Sequence, residues 1–260
     1  MSLATFRKKV LSWYNRNKRD LPWRKTAQPY KVLISEIMLQ QTQVDRVIPY
    51  YRRFLKKYPA IRSLARARNR TLLRLWSGLG YNSRALRLKE LAKKVMHNGK
   101  NIPSDYDALV KLPGIGTYTA NAILAFSFNK EVPVIDTNIR RVLIHELHLP
   151  ENISMDKLKL IAQRAIPKGR SRLWHNALMD YGSMEKTSRR TGIKPLSSQS
   201  PFKGSDRMVR GEIMKRLISC PTLSFSELRK SFPEKDILKI VRKMEKESLL
   251  MIKGNSVFLP

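Results

Sequence analysis

Apolar residues recur every three or four positions through most of the first 183 residues. Such spacing lines up side chains on one face of an α-helix. It recurs in seven segments, which are 32–39, 44–55, 86–96, 120–128, 139–147, 158–166 and 173–181. Prolines and glycines fall between these segments, where turns are expected. The pattern therefore predicts an all-α body.

The chain changes character after residue 183. Residues 184–204 are polar, basic and poor in large apolar groups, which predicts a linker. Helical spacing then returns in three segments, 205–218, 223–232 and 234–247. Two apolar runs flank Gly254-Asn255 near the end, a pattern typical of a β-hairpin. Three helices and a hairpin predict a small winged-helix-like α+β module at 205–260, and a plain packing module is the alternative.

The net charge of the chain indicates which class of molecule it binds. The 260 residues include 52 Lys and Arg against 20 Asp and Glu, a formal net charge of +32, and the cations are spread along the whole chain. Such a chain attracts polyanions, so nucleic acid is favoured over an anionic membrane surface. No segment reaches the roughly 18 apolar residues of a membrane span. Because the N-terminus also lacks the apolar run of a signal peptide, we expect an intracellular protein, cytoplasmic and nucleoid-associated or nuclear.

Metal binding is not expected. Cys220 is the only cysteine, and the four histidines show no ligand spacing on one face. The sequence therefore predicts no metal site and no disulfide within the chain.

The segment LPGIGTYTA at 112–120 places two glycines just before a helical pattern. Gly114 and Gly116 would let the backbone bend so that successive N–H groups converge at the start of that helix. Converging amides at a helix N-terminus bind phosphate without any side-chain charge. Taken alone, the turn is also compatible with a simple tight connection between two helices.

Two carboxylates add to this turn. Asp136 follows an apolar stretch in VPVIDTNIRRVL and immediately precedes a helical pattern, so on its own it is best interpreted as a helix N-cap. Glu36 lies in SEIMLQQTQV among apolar neighbours, where burial would raise its pKa toward use as a general acid. The alternative for Glu36 is an exposed position on an amphipathic helix.

Together, the turn and the two carboxylates resemble the helix-hairpin-helix base-excision DNA glycosylases. Six ordered segments within residues 3–183 are similar to one branch, the A/G-specific adenine DNA glycosylases of the MutY type. These segments are LPWR (21–24), PYKVLISEIMLQQTQV (29–44), LWSGLGYNSRA (75–85), LPGIGTYTA (112–120), VIDTNIRRVL (134–143) and NALMDYG (176–182).

The resemblance implies a particular domain organisation. Residues 1–183 would form the glycosylase domain, with the active site between two helical subdomains, one of 23–133 and one of 1–22 with 134–183. Residues 184–204 would be a basic linker in place of an iron–sulfur loop, followed by the winged-helix-like module.

The implied function is a monofunctional DNA glycosylase of base excision repair, which hydrolyses the N-glycosidic bond of adenine mispaired with 8-oxoguanine or guanine. Glu36 would protonate the adenine, and Asp136 would face the cation that develops on the sugar. Tyr118 stands where bifunctional relatives carry a Schiff-base lysine, so lyase activity is not expected. The implied partner is double-stranded DNA with a mismatch or an oxidised guanine, bound by a monomer.

The resemblance also implies which other residues contact DNA. The positions matching the pocket for the extruded base are Trp23, Arg24, Leu39, Val44, Asn138 and Asp180. The positions matching DNA contacts near the lesion, the opposing base and the phosphate are Gln41, Thr42, Leu79, Tyr81, Gly114 and Gly116.

Two features depart from the family pattern. Most members hold an iron–sulfur cluster with four cysteines, and the aligned positions here are Lys186, Ile193, Leu196 and Phe202. No cluster can be built from these side chains, so no cofactor is expected, and the last three are expected to pack in its place. Residues 205–260 are also too short for the Nudix-like domain with which full-length members sense 8-oxoguanine.

Two other functions fit the same residues. A mismatch thymine or uracil glycosylase would share Tyr118 and Asp136, whereas Glu36 in its LQQTQ context favours adenine. A non-catalytic mismatch-binding protein would use the same basic charge, but retention of both carboxylates counts against it. The net charge itself does not distinguish these functions.

Overall fold

The computed structural model describes residues 1–196 and 201–260. Helices dominate this part of the chain, which confirms the all-α body predicted from the apolar spacing. They are α1 Leu3–Asn17, α2 Pro29–Leu39, α3 Val44–Lys57, α4 Ile61–Ala65, α5 Asn69–Trp76, α6 Ser83–His97, α7 Tyr106–Val110, α8 Thr117–Phe128, α9 Thr137–Leu147, α10 Met155–Ala165, α11 Ser171–Asp180, α12 Ser188–Thr191, α13 Asp206–Ser219, α14 Phe225–Ser231 and α15 Ile237–Lys246.

Two shorter helical turns lie beside residues of interest. A 3₁₀ turn, Pro22–Lys25, precedes α2, and a π turn, Tyr181–Glu185, continues from α11. Within the segment 184–204, the described part contains α12 and a buried Ile193. Residues 197–200 of that segment lie outside the described residues.

The C-terminal residues form three helices and a small antiparallel sheet. The strands are β1 Thr222–Ser224, β2 Met251–Lys253 and β3 Ser256–Phe258, in the order β1-β3-β2. Val257 in the central strand pairs with both Leu223 and Ile252. The three predicted helices and the hairpin at Gly254-Asn255 are confirmed. β1 is an addition, because three residues are too few to show the period of a strand.

Within the described residues the chain forms two compact units. The first comprises Met1–Glu36, Ile102–Lys111 and Ile115–Ser198, and the second comprises Ile37–Asn101, Leu112–Gly114 and Gln199–Pro260. The subdomain bounds expected from the sequence stay a prediction.

The core of the first unit gathers α1, α9, α10 and α11. Phe6 meets Trp174 edge to face with ring centroids 5.3 Å apart, and Trp13 meets Tyr181 in the same way at 5.2 Å. Phe6, Trp174 and Tyr181 are buried and Trp13 is partly buried, and rings of this size supply much of the apolar area that stabilises a domain.

A smaller apolar cluster in the same unit surrounds α8. It contains Val32, Ala122, Ala125, Phe126 and Val134. Val32 lies one helical turn before Glu36 and Val134 lies two residues before Asp136, so both candidate carboxylates extend from this one cluster.

The second unit packs α3 to α6 together with the C-terminal module. Phe54 of α3 packs edge to face on Trp76 of α5, with ring centroids 6.0 Å apart. Arg70 of α5 donates hydrogen bonds to the carbonyl oxygens of Leu217 and Cys220, at 3.4 and 3.2 Å. The module is therefore anchored within this unit by its first helix. No described helix combines the length and the apolarity that a bilayer crossing requires.

Candidate active site

Asp136 lies at the N-terminus of α9, where its carboxylate caps the helix. Its Oδ1 accepts a hydrogen bond from the N–H of Ile139 at 2.7 Å, and its Oδ2 accepts one from the amide of Asn138 at 3.1 Å. The capping role expected from the sequence is confirmed. The same two bonds fix the orientation of the carboxylate, so capping is compatible with a chemical role.

The extended segment before Asp136 is fixed by a buried histidine. His175 Nε2 accepts a hydrogen bond from the N–H of Val134 at 3.2 Å, and Nδ1 donates to the carbonyl of Ser171 at 2.8 Å. Burial lowers the pKa of His175 to about 4, so the ring is neutral at pH 7. A neutral ring with one donor and one acceptor satisfies both backbone partners.

Glu36 is buried on α2, with 7% of its surface exposed. Its pKa is raised to about 7, first by burial and then by the negative charge of Asp136, while a hydrogen bond from Tyr118 opposes the shift. The expected burial of Glu36 is therefore found, and the exposed alternative is wrong. At neutral pH, a large fraction of this carboxyl group carries a proton that it can donate.

Tyr118 is held beside both carboxylates in the first turn of α8. Burial raises the pKa of its hydroxyl well above the usual value, and the charges of Glu36 and Asp136 raise it further. The phenol therefore remains protonated and acts as a hydrogen-bond donor to Glu36. No amine stands at this position to attack a sugar.

The carboxyl groups of Asp136 and Glu36 lose their protons at different pH values. Burial raises the pKa of Asp136, but hydrogen bonds from Ile139 and Asn138 and the charge of Arg141 oppose that rise. The charge of Asp136 in turn raises the pKa of Glu36, which means that Asp136 is already ionised when Glu36 titrates. Environments that separate the pKa values of two carboxyl groups in this way suit one, here Glu36, to donate a proton and the other, here Asp136, to remain an anion.

Asn138 is itself held by Arg141, a residue to which the sequence assigned no role. Arg141 Nη1 donates to Asn138 Oδ1 at 3.2 Å and to the carbonyls of Gly182 and Lys186 at 3.3 and 3.0 Å. A Cβ atom at Gly182 would lie 2.9 Å from the Asn138 carbonyl oxygen. Gly182 thus allows the π turn to approach α9 closely enough for these bonds.

Asp180 is fully buried and binds two arginines. Arg24 makes a bidentate contact, with Nη1 to Oδ2 at 2.5 Å and Nη2 to Oδ1 at 2.8 Å, and Arg19 Nε donates to Oδ1 at 2.5 Å. Burial raises the pKa of Asp180, but these cations outweigh it and lower the pKa overall. Trp23 precedes Arg24 in the same 3₁₀ turn and is buried. Asp180 therefore fixes the position of the Arg24 side chain and does not itself reach solvent.

Apart from the two glycines of the turn, the remaining predicted contacts lie in the second unit. Gln41 and Tyr81 are exposed and adopt left-handed backbone conformations, with φ of 55° and 48°. Leu79 is buried and Thr42 is partly buried. Leu39 ends α2 and Val44 begins α3, and both are partly buried.

The two glycines of the turn differ in what they require. Gly114 has a φ of +80°, which favours glycine, as predicted. Gly116 is the N-cap of α8 with a φ of −99°, a value that any residue adopts, so the expectation that both glycines permit the bend is wrong for Gly116. A Cβ at Gly116 would meet nothing within 4 Å in the described chain. The open space leaves room for a ligand against the backbone.

The residues at the expected iron–sulfur positions do not fit a cluster. Such clusters are held by cysteine thiolates, whereas Lys186, Ile193, Leu196 and Phe202 offer none, and Cys220 lies alone. No group of His, Cys, Asp or Glu able to hold a metal occurs among the described residues. The expectation that three apolar side chains pack here is right only for Ile193, because Leu196 and Phe202 are 71% and 62% exposed.

An ionic cluster holds this part of the chain instead. Glu146 is buried, and its carboxylate contacts the ammonium groups of Lys9 and Lys186 at 2.6 and 3.0 Å and accepts from the Tyr181 hydroxyl at 2.9 Å. Burial alone would raise the pKa of Glu146, but these donors lower it to about 2. The carboxylate is therefore ionised throughout the physiological range.

Proteins similar to this chain are DNA repair proteins. A family model described as "HhH-GPD superfamily base excision DNA repair protein" matches residues 34–168. The adenine DNA glycosylase of Mycolicibacterium smegmatis is 37% identical over 227 residues, which cover 79% of this chain and 78% of that relative. The adenine DNA glycosylase of Homo sapiens is 37% identical over 238 residues, or 86% of this chain and 43% of the human protein. This chain therefore spans less than half the length of the human relative.

A solved structure supports the same fold. A thermostable thymine-DNA glycosylase aligns with a TM-score of 0.69 and 30% sequence identity, over 73% of this chain and 89% of that one. The fold of most of this chain is thus one already seen in a DNA glycosylase.

Proposed function

This chain belongs to the HhH-GPD superfamily of base excision DNA repair proteins, and we propose that it is an adenine DNA glycosylase. Its substrate is double-stranded DNA in which adenine is mispaired with 8-oxoguanine or guanine. The observation that carries the proposal is the contact of a protonatable Glu36 with Tyr118 beside the ionised Asp136.

The reaction begins with extrusion of the adenine from the helix, because the glycosidic bond is not accessible within the base stack. Glu36 donates its proton to a ring nitrogen of the extruded base, and the electron pair of the bond between sugar and base then leaves with adenine. Protonation makes adenine a better leaving group, which is the task of a general acid.

Asp136 stabilises the positive charge that develops on the sugar as the bond breaks. Its two hydrogen bonds and the nearby Arg141 hold the carboxylate in one orientation before reaction, so little reorganisation is needed. Glu36, now a carboxylate, accepts a proton from the water that attacks the sugar carbon, which restores the acid and leaves an abasic site.

Tyr118 supports a monofunctional reaction. Its hydroxyl lies where a lysine would form a Schiff base in enzymes that also nick DNA, and a phenol cannot form that adduct. We infer that strand cleavage is not part of the activity. Lys186, which pairs with Glu146, and the buried aliphatic Ile193 offer no thiolate, which supports a chain that folds without an iron–sulfur cluster.

A mismatch thymine glycosylase is the second candidate, favoured by the thymine-DNA glycosylase that aligns with this chain at 30% sequence identity. The identity of 37% to adenine DNA glycosylases and the raised pKa of Glu36 favour adenine. An acid matched to neutral pH is what departure of a basic purine requires.

Single-turnover excision on four duplexes tests the proposal. The full chain is incubated with duplexes containing A:8-oxoG, A:G, T:G or U:G, and abasic sites are revealed by alkali. Faster excision on the two adenine duplexes is the expected result. Excision of T or U alone would assign the chain to the thymine class, and binding without excision would leave a mismatch-binding protein.

A further inference from the structure

Arg84 is a buried cation to which the sequence analysis assigns no role. It lies near the start of α6 with 8% of its surface exposed. The rings of Trp76 and Tyr81 lie beside its guanidinium group, each with the centroid 5.5 Å from Cζ. Burial lowers the pKa of Arg84 to about 10, so the group remains cationic at pH 7.

One side of this guanidinium holds the end of α2. Nη1 donates to the carbonyl oxygens of Ile37, Met38 and Gln40, at 2.7, 3.2 and 2.6 Å. Carbonyl groups in the last turn of a helix lack partners within the helix and carry partial negative charge. A buried cation at this position satisfies them and fixes the residues that follow.

The other side holds a second turn. Nη2 donates to Thr42 Oγ1 at 3.2 Å and to the carbonyl of Gly80 at 3.2 Å. Trp76 Nε1 donates to the same Gly80 carbonyl at 3.2 Å. A single side chain therefore joins the turn after α2 to the turn before α6, since Arg84 lies 44 residues from Gln40 and 4 residues from Gly80 in sequence.

Two of the carbonyl groups that Arg84 binds, those of Gln40 and Gly80, each precede a residue with a left-handed backbone. The Gln40 carbonyl belongs to the peptide group that leads into Gln41, and the Gly80 carbonyl belongs to the one that leads into Tyr81. Gln41 and Tyr81 are both exposed and both left-handed, with φ of 55° and 48°. Such backbones are uncommon outside glycine and need surrounding structure to hold them.

We propose that Arg84 is a positioning residue that holds Gln41 and Tyr81 together in the conformation that enters the base stack. The proposal rests on the proposed function, because it assigns these two exposed residues to the DNA wedge. Wedge residues stabilise unstacked DNA at a lower entropic cost when their backbones are fixed before binding. Arginine is suited to the task because its planar fork reaches both turns at once, whereas a lysine ammonium would reach one.

The test compares Arg84→Lys with the parent and with Arg62→Lys, an exposed arginine in the same unit. Affinity is measured for a matched duplex and for an A:8-oxoG duplex, at a temperature where circular dichroism shows each variant folded. A 2-aminopurine next to the mismatched adenine reports unstacking by its fluorescence. The expected result for Arg84→Lys is a loss of about tenfold in preference for the mismatch, with a smaller fluorescence rise.

Affinity for the matched duplex should stay close to that of the parent, since the basic surface is unchanged. A residue that merely stabilised the fold would lower the unfolding temperature but leave mismatch preference and unstacking intact. That outcome, in a folded Arg84→Lys, would overturn the proposal.

A second variant covers the case in which Arg84→Lys does not fold. Trp76→Phe removes the donor to the Gly80 carbonyl and leaves the guanidinium in place, and it should give a smaller loss in the same direction. Unchanged unstacking in Trp76→Phe would count against the proposal. Excision by the unsubstituted protein distinguishes failure of the proposed function from failure of this proposal. If the unsubstituted protein does not excise adenine, the proposed function is wrong. If it does and the variants behave like it, only the role of Arg84 is wrong.

A different observation, in the C-terminal module, carries a second inference. Four cations on α15 lie at helical spacing on its exposed side, opposite the buried Ile237, Ile240, Val241 and Met244. We define these four as the α15 basic face; they are Lys239, Arg242, Lys243 and Lys246. None of them forms an ion pair within the described residues, where the paired cations of the module are Arg210, Arg216 and Lys235.

The acidic side chains of the module are largely committed elsewhere. Residues 205–260 contain seven of them. Six bind within the module, as ion-pair partners, helix caps or backbone acceptors, and these are Asp206, Glu212, Glu227, Asp236, Glu245 and Glu247. The α15 basic face is therefore left electrostatically uncompensated, which favours binding of a polyanion.

We infer that the α15 basic face binds the phosphate backbone of duplex DNA, in addition to the DNA bound by the catalytic residues. α14 and α15 are joined by a short turn, as in a helix–turn–helix, and the major groove of duplex DNA is wide enough to admit an α-helix. Lys253 at the tip of the hairpin adds a further exposed cation. Duplex DNA is the occupant chosen because the proposed substrate is DNA.

The test replaces all four residues of the α15 basic face by Gln in the full chain. Affinity for an undamaged duplex is measured as a function of salt, with a matched control in which Lys157, Lys159, Arg164 and Lys168 become Gln. The slope of log affinity against log salt should fall by about 0.9 for each phosphate that the variant no longer neutralises, and fall less in the control. Equal changes in both variants, or none in the first, would overturn this assignment whether or not the parent excises adenine.

Discussion

The hydroxyl of Tyr118 donates a hydrogen bond to Glu36, whose carboxyl group has a pKa of about 7. The bond favours the ionised form of Glu36, whereas burial and the charge of Asp136 favour the protonated form. The balance places the proton on Glu36 near neutral pH, where a general acid is most effective. Tyr118 therefore lowers the pKa of the proposed acid, in addition to occupying the position at which we propose that lyase activity is lost.

This balance predicts the pH dependence of excision. Only the protonated form of Glu36 donates, so the single-turnover rate should fall about tenfold per pH unit above pH 7. Tyr118→Phe removes the bond that lowers the pKa of Glu36, so its alkaline limb should move to higher pH. The measurement is a rate profile from pH 5 to 9 for both proteins. An unmoved limb in Tyr118→Phe would contradict the tuning role.

Asp136→Asn should separate chemistry from folding. Asn caps a helix as well as Asp does, so the unfolding midpoint should change little. Loss of the anion should slow excision by about 10²- to 10³-fold, while affinity for the mismatched duplex stays within a few fold. Single-turnover rates and fluorescence anisotropy check the two effects. Equal losses of binding and of rate would show that Asp136 is needed for the complex rather than for the reaction.

Tyr118→Lys should introduce covalent chemistry with DNA. The new amine would stand beside Asp136, where it can form a Schiff base with the sugar after the base leaves. Borohydride should then trap a protein–DNA adduct that is absent from the parent and from Tyr118→Phe. If no adduct forms in a folded Tyr118→Lys that still excises adenine, the side chain does not face the sugar.

Lys186→Met should destabilise the first unit. It leaves the buried carboxylate of Glu146 with two of its three hydrogen-bond donors, Lys9 and Tyr181, and losing a hydrogen bond to a charged group costs about 1.5–3 kcal/mol. The free energy of unfolding in urea should fall by that amount at pH 7. The folded pKa of Glu146 lies below its unfolded value of 4.5, so the difference should shrink as pH falls from 4.5 toward 2.

Lys159→Met is the matched control for that substitution. Lys159 pairs with Asp156 on the surface, where 46% and 91% of the two side chains are exposed. Exposed pairs contribute at most about 1 kcal/mol. Similar losses in the two variants would mean that the Glu146 cluster contributes no more than a surface pair.

His175 predicts a second pH effect, on stability. Its pKa is lowered to about 4 in the folded chain and lies at 6.5 when unfolded, so only the unfolded chain binds a proton between these values. Stability should therefore fall as pH drops from 6.5 to 4, by up to roughly 3 kcal/mol from this group. Urea titrations of the parent and of His175→Gln check it. The variant should be less stable at pH 7 and have a shallower slope across this window.

The helices, the burial of Glu36 and the capping by Asp136 were predictable because their signals are local. Val47, Tyr51 and Phe54 are buried at the helical spacing visible in the sequence, and Asp136 caps α9 as its position suggests. The burial of Glu36 follows in the same way from its apolar neighbours. Each of these inferences needs only residues within one helical turn.

The supporting residues were not predictable because their partners are distant in sequence. Arg84 and Arg141 bind carbonyl groups up to 47 and 45 residues away, and carbonyls carry no sequence signal. Leu196 and Phe202 failed the expectation of packing for a related reason, since an apolar side chain does not specify its own partners. Asp180 was expected to line the base pocket. Its burial and its ion pair with Arg24, a residue 156 positions away, could not be predicted from the sequence alone.

The helix cap at Asp136 constrains how this activity can be lost in evolution. A lineage that no longer needs the chemistry still needs a side chain that accepts the N–H of Ile139. Asn and Ser meet that need, whereas most other residues weaken α9. Drift after loss of function would therefore pass through Asn or Ser at this position, so inactive descendants would remain folded and would differ from active relatives at this site by the loss of the carboxylate charge.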